Sequence, residues 1–159
     1  MDADLKREFT ARIAQANRSE LVVILFEMFA YCLDMSEKFF GDNDSEKGVY
    51  YIKQAQGCLC ELRGSLDFKY PISVNLAELY SFVNVKLAAG MAKRKPVEFT
   101  AIRDVMGGLQ DSFSKIAKED NTKPVMENTQ KLYAGLTYGR GTLNEVITSG
   151  NEPSRGFKA

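Results

Sequence analysis

The chain has no histidine and no tryptophan in 159 residues, and only three cysteines and four prolines. The missing histidine excludes most. It removes the side chain that titrates near neutrality, the commonest general base and the commonest transition-metal ligand. Ser-His-Asp and Cys-His mechanisms within one chain are excluded, as are zinc sites built with histidine. Bundle di-iron sites, which need a Glu-x-x-His motif from each of two helices, go with them. Carboxylate or lysine chemistry survives this argument, but the Glu and Asp residues fall mainly on polar faces. An enzymatic role is not expected, and neither is a metal or another cofactor. The cysteines point the same way. Cys58-Leu59-Cys60 is C-x-C rather than C-x-x-C, and Cys32 makes an odd third. Such thiols read as small apolar residues in a reducing compartment. An excess of either charge is also missing, with 21 Lys+Arg against 21 Asp+Glu. Nothing therefore argues for nucleic acid or an anionic membrane as partner, and recognition should depend little on salt. The longest apolar run, Leu21 to Phe26, is closed by Glu27. It falls far short of the roughly 20 residues of a spanning helix. The start, Met1-Asp2-Ala3-Asp4-Leu5-Lys6, lacks the apolar stretch of a signal peptide. A cytoplasmic protein without membrane insertion is the expectation.

What is present is helical. With 45% apolar and 26% charged residues, the composition is that of an ordinary globular protein with one core. Four long segments show helical periodicity. The first, residues 19–40, opens at Asn17-Arg18-Ser19-Glu20, a variant of the capping box. Leu21, Leu25, Met28, Cys32, Met35 and Phe39 form its expected core seam. The second, residues 45–65, carries Ile52, Ala55, Leu59, Leu62 and Leu66. It is weakened by Gly48, Gly57 and Gly64, positions that usually let another helix approach. The third, residues 72–94, follows Pro71, which costs nothing at a helix start. Its apolar side is Leu76, Leu79, Tyr80, Val83, Leu87 and Met91. The fourth, residues 97–118, opens after Pro96, with Ile102, Val105, Met106, Leu109, Phe113 and Ile116 as its stripe. No segment alternates with a period of two. The fold class is therefore all-α, an antiparallel up-down four-helix bundle. Leu5, Phe9 and Ile13 predict a short N-terminal helix. The bundle domain spans residues 1–118 and a C-terminal tail spans 119–159, with a short helix expected at 125–135. Gly107-Gly108 has no preceding strand and no following Lys-Ser/Thr, so it is not a phosphate loop.

The apolar content exceeds what a bundle needs. About three positions in seven suffice, yet residues 19–40 hold 15 apolar residues in 22 and residues 72–94 hold 14 in 23. The surplus is organised. Val22, Phe26, Phe29, Leu33 and Phe40 make a second stripe on the first helix, and Phe82, Val85 and Ala89 lie off the main stripe of the third. Tyr50 and Tyr51 cannot both face the core. Two explanations stand side by side. The N-terminal segment and the tail fold back over this surface, or a partner occupies it by helix-in-groove recognition. Both hold if an own segment covers the groove until a partner displaces it.

Three runs resemble a known family. Ala16-Asn17-Arg18-Ser19-Glu20-Leu21 with Leu25-Phe26-Glu27 resembles A-S-P-E-E-L and L-Y-(D/N). Ala55-Gln56 through Glu61-Leu62-Arg63-Gly64-Ser65-Leu66-Asp67-Phe68-Lys69-Tyr70 resembles A-Q-x-I-I-x-E-L-x-x-S-L-D-M-E-Y, and Asn75-Leu76 with Leu79-Tyr80-Ser81-Phe82 resembles N-L-x-x-L-Y-x-Y. These are motifs of the flagellar secretion chaperone family FliS, and the resemblance covers residues 13–117. Arg18 stands where the family has proline, and the family's N-terminal tyrosine and Asn-Gln pair have no clear counterpart.

The resemblance implies a cytoplasmic export chaperone. It would bind the C-terminal helical segment of flagellin, prevent premature polymerisation and aid secretion. Export-gate and regulatory proteins are implied as further partners. On this reading flagellin lays short helices into grooves along the first three helices, with Val22, Phe26, Phe29, Leu33, Tyr51 and Phe82 as candidate contacts. Phe9, Ile13, Leu132 and Tyr133 are candidates for covering the groove. The competing expectation is a non-enzymatic adaptor that homodimerises through the same surface.

Overall fold

The computed structural model describes residues 2–126 and is all-α, with five helices and no strand among the described residues. They are α1 (Ala3–Gln15), α2 (Arg18–Gly41), α3 (Ser45–Gly64), α4 (Pro71–Lys93) and α5 (Phe99–Glu119). The expected helix at 125–135 falls largely outside the described residues, and Leu132 and Tyr133 with it. The chain clusters into two units, Arg18–Asn121 and the residues flanking it on either side. In the flanking unit, α1 buries Phe9 and half-buries Ile13, and the Arg12 guanidinium lies over the Phe9 ring. The Val125 amide donates to the Ala16 carbonyl at 3.1 Å.

Local chemistry explains where the helices of the larger unit begin and end. The Asp44 carboxylate accepts the Lys47 amide at 3.1 Å and caps α3. Pro71 occupies the first turn of α4. At the other end of α4, the Lys95 amide donates to the Gly90 carbonyl and the Arg94 amide to that of Met91. This is a Schellman closure with Arg94, rather than glycine, in the left-handed region at φ 53°. Glu98 is left-handed too, so α5 starts at Phe99 and not at Val97 as Pro96 had suggested.

In this unit α2 packs on both α3 and α5, α3 also packs on α4, and α4 touches α5 over a shorter stretch. The core joins Phe26, Phe29 and Leu33 of α2 to Ile52, Ala55 and Leu62 of α3, Val83 and Leu87 of α4, and Ile102 of α5. The expected seam of α2 is largely displaced. Its Cys32 is buried in the core as expected, but Leu21, Leu25, Met28, Met35 and Phe39 are half-buried, while three residues of the second stripe, Phe26, Phe29 and Leu33, are each only 1% exposed. A helix with neighbours on two sides buries a wider arc than one stripe, and this uses up most of the apolar surplus of α2.

Polar groups tie the helices at their edges. The buried Ser36 hydroxyl donates to the Gly48 carbonyl at 2.9 Å. Arg103 of α5 bonds both Asp34 and Glu37 of α2, which hold its guanidinium above its usual pKa. Arg94 pairs with Glu46 at 2.6 Å, and Gln56 with Asn84 at 3.0 Å. Pairs this exposed contribute at most about 1 kcal/mol each.

Of the three glycines in α3, only Gly48 serves close approach. A Cβ there would lie 2.5 Å from the Phe40 ring, whereas Gly57 and Gly64 have nothing within 4 Å. Gly57→Ala should therefore raise stability by about 0.5–1 kcal/mol through helix propensity. Gly48→Ala should lower it despite the same propensity gain, because the Phe40 ring must move. Paired urea titrations check both signs.

No described helix is long and apolar enough to cross a membrane. Among the described residues no group of three His, Cys, Asp or Glu could hold a metal ion.

Candidate functional site

α4 is apolar on more than one side. Its buried ridge is Leu76, Tyr80, Val83 and Leu87. A second ridge, Ile72, Asn75, Leu79, Phe82 and Lys86, follows the same three-four spacing about a quarter-turn away. Here Ile72 is 63% exposed, Phe82 43% and Leu79 36%. The ridge ends at Lys86, whose ammonium sits 5.3 Å from the Phe82 ring centre and pairs with Glu98 at the start of α5. Val74 and Val85 extend the exposed apolar surface further round the helix, and Phe68 and Tyr70 add to it from the α3–α4 connection.

At the Ile72 end the surface deepens into an open pocket of about 330 Å³. Its walls are Val22 of α2, Leu66 and Tyr70 of the connection, Ile72, Leu76 and Tyr80 of α4, and Phe113 and Ile116 of α5. The connection is held in place by its own hydrogen bonds. The Ser73 hydroxyl donates to the Asp67 carbonyl at 2.7 Å, and the Asp67 carboxylate accepts the Lys69 amide at 3.0 Å. Burial pushes the Tyr80 phenol up to about 12, so this wall stays uncharged near neutrality. Arg18 stands at the rim and donates to the Ser65 carbonyl at 3.5 Å. Such a surface can seat an apolar side chain on a flat, mostly apolar bed. It brings together no catalytic constellation.

The expected contact residues are distributed unevenly over this geometry. Val22 is half-buried and lines the pocket, and Phe82 lies on the exposed ridge. Phe26, Phe29 and Leu33 line a separate groove beside Arg103, Met106 and Gly107. Each is only 1% exposed, so these three carry the core and offer a partner little surface. Tyr51 is buried, stacked on Phe39 with ring centres 5.6 Å apart, and it is Tyr50 that faces outward. Of the expected groove-covering residues, Phe9 and Ile13 lie on α1, and Leu132 and Tyr133 lie outside the described residues. Sequence reasoning missed Ile72, Tyr70, Phe68 and Ile116 as exposed apolar positions and placed Leu79 in the core. A signal was available. Ile72 and Leu79 are seven residues apart, in register with Phe82 and beside the ridge headed by Leu76.

No curated protein matches the chain. The family model described as Flagellar protein FliS matches residues 1–120, all five helices included. That span takes in the pocket, the α4 ridge and the three motif runs, and the family comprises chaperones of flagellum biogenesis and flagellin export. The chain belongs to the FliS family of flagellar export chaperones.

Proposed function

We propose that α2 to α5 form an antiparallel up-down four-helix bundle in the cytoplasm whose α4 face binds the C-terminal helical segment of flagellin. Bound in this way, the segment is kept from premature polymerisation and delivered for secretion. The observation that carries this reading is the exposed ridge of Ile72, Leu79 and Phe82 running into the apolar pocket. An amphipathic helix buries its own stripe on such a ridge, and exposed apolar surface of this kind marks interaction sites. Val22 and Phe82 make direct contacts in this reading. Phe26, Phe29, Leu33 and Tyr51 hold the surface from beneath. No reaction is involved. Export-gate and regulatory proteins would meet the loaded chaperone.

Titration calorimetry with a synthetic peptide spanning the flagellin C-terminal helical segment tests the proposal. Saturable binding with a negative ΔCp is expected, because burial of apolar surface drives it. Absence of binding would overturn it. The same ridge could serve a homodimer, and sedimentation separates the two. A tight dimer unaffected by the peptide favours the adaptor reading.

A further inference from the structure

We infer that Arg18 selects an acidic residue at the edge of the apolar stripe in the bound segment, an inference that rests on the flagellin reading above. The pocket it borders is almost wholly apolar, and its charged lining groups are Arg18 and Asp67. Two carboxylates at this end already accept from their own chain. Asp67 takes the Lys69 amide, and Asp120 takes the Ser19 hydroxyl. Arg18 differs. It is exposed, and its one described bond is the long donation to the Ser65 carbonyl. A guanidinium has five N–H donors in a planar fork suited to a carboxylate. Arg18 is also the first residue of α2, where the positive end of the helix dipole adds to its charge.

The physical consequence is a two-part recognition element. An apolar side chain fills the space between Ile72, Leu76 and Ile116, and a carboxylate three or four residues away on the same helix face reaches Arg18. The apolar part supplies most of the affinity. The charged part fixes the register of the segment and rejects a basic residue there. Zero net charge conceals this, because one local pair needs no overall imbalance.

A double-mutant cycle tests it. The probe is the flagellin C-terminal peptide, with each Asp and Glu changed singly to Asn or Gln, titrated against wild type and Arg18→Gln. Arg18→Gln should weaken binding roughly threefold to tenfold. One peptide carboxylate should lose its effect in the Arg18→Gln background, and Arg18→Lys should recover only part of the affinity. Lys53→Gln, which removes another exposed cation on α3, should change little. Circular dichroism melts confirm that the variants fold. If the wild-type peptide binds but every carboxylate contributes additively with Arg18→Gln, the inference is overturned while the flagellin reading stands. If the wild-type peptide does not bind, both fall.

Discussion

Phe26→Ala should destabilise the helical unit by about 3–5 kcal/mol, the cost of removing a large buried aromatic and leaving a cavity. Phe26 is 1% exposed, stacks on Phe113 with ring centres 5.5 Å apart and lies 6.5 Å from Tyr80. It therefore touches α4 and α5 from α2, and no single neighbour can collapse into the space it leaves. For a unit of this size the melting midpoint should fall by more than roughly 12 °C. Chemical and thermal unfolding followed by circular dichroism measures the effect. A loss below about 1 kcal/mol would mean that Phe26 is replaceable in the core, and would return it to the list of surfaces a ligand could displace. Any reduction in flagellin binding by this variant should track its unfolded fraction.

The converse holds on α4. The double variant Ile72→Asp with Phe82→Asp should weaken binding of the flagellin peptide at least about 100-fold, because each aspartate must be desolvated against an apolar partner. Folding should change little in comparison, since exposed substitutions away from caps and networks usually fall within about 0.5 kcal/mol. Ile72 and Phe82 are 63% and 43% exposed. The loss of the Phe82–Lys86 contact adds a small cost. Calorimetry and urea titration on the same preparation give both numbers. Unchanged affinity would show that the ridge is not the flagellin surface. Together the two variants separate scaffold from site. One should lose stability, and the other should keep its fold and lose affinity.

Much of the fold was legible because helices are local. Periodicity, Pro71 at a helix start and the short connections placed all but one end of the four long helices within one residue. The exception at Val97 has a local cause that composition does not reveal, the left-handed backbone at Glu98. The candidate site was less legible. Which of two adjacent stripes on α2 becomes core depends on the direction from which α3 and α5 approach. Both stripes are equally apolar, so the choice between Leu25 and Phe26 cannot be made from spacing. The same ambiguity placed Leu79 inside and gave Gly57 a packing role it does not have.

Absences, periodicity and spaced motifs thus pointed to the kind of chemistry in advance. A chain without histidine, without charge excess and with two helices about two-thirds apolar is suited to recognition by apolar burial, and the runs from Ala55 to Phe82 named its family. Packing decided the rest. Three-dimensional neighbours consumed the surplus on α2, which has a partner helix on two sides, and left the surplus on α4, which meets α5 over only a short stretch. Hydrophobicity is a property of a side chain, but exposure is a property of what lies next to it. The exposed ridge from Ile72 to Phe82 follows from that second property.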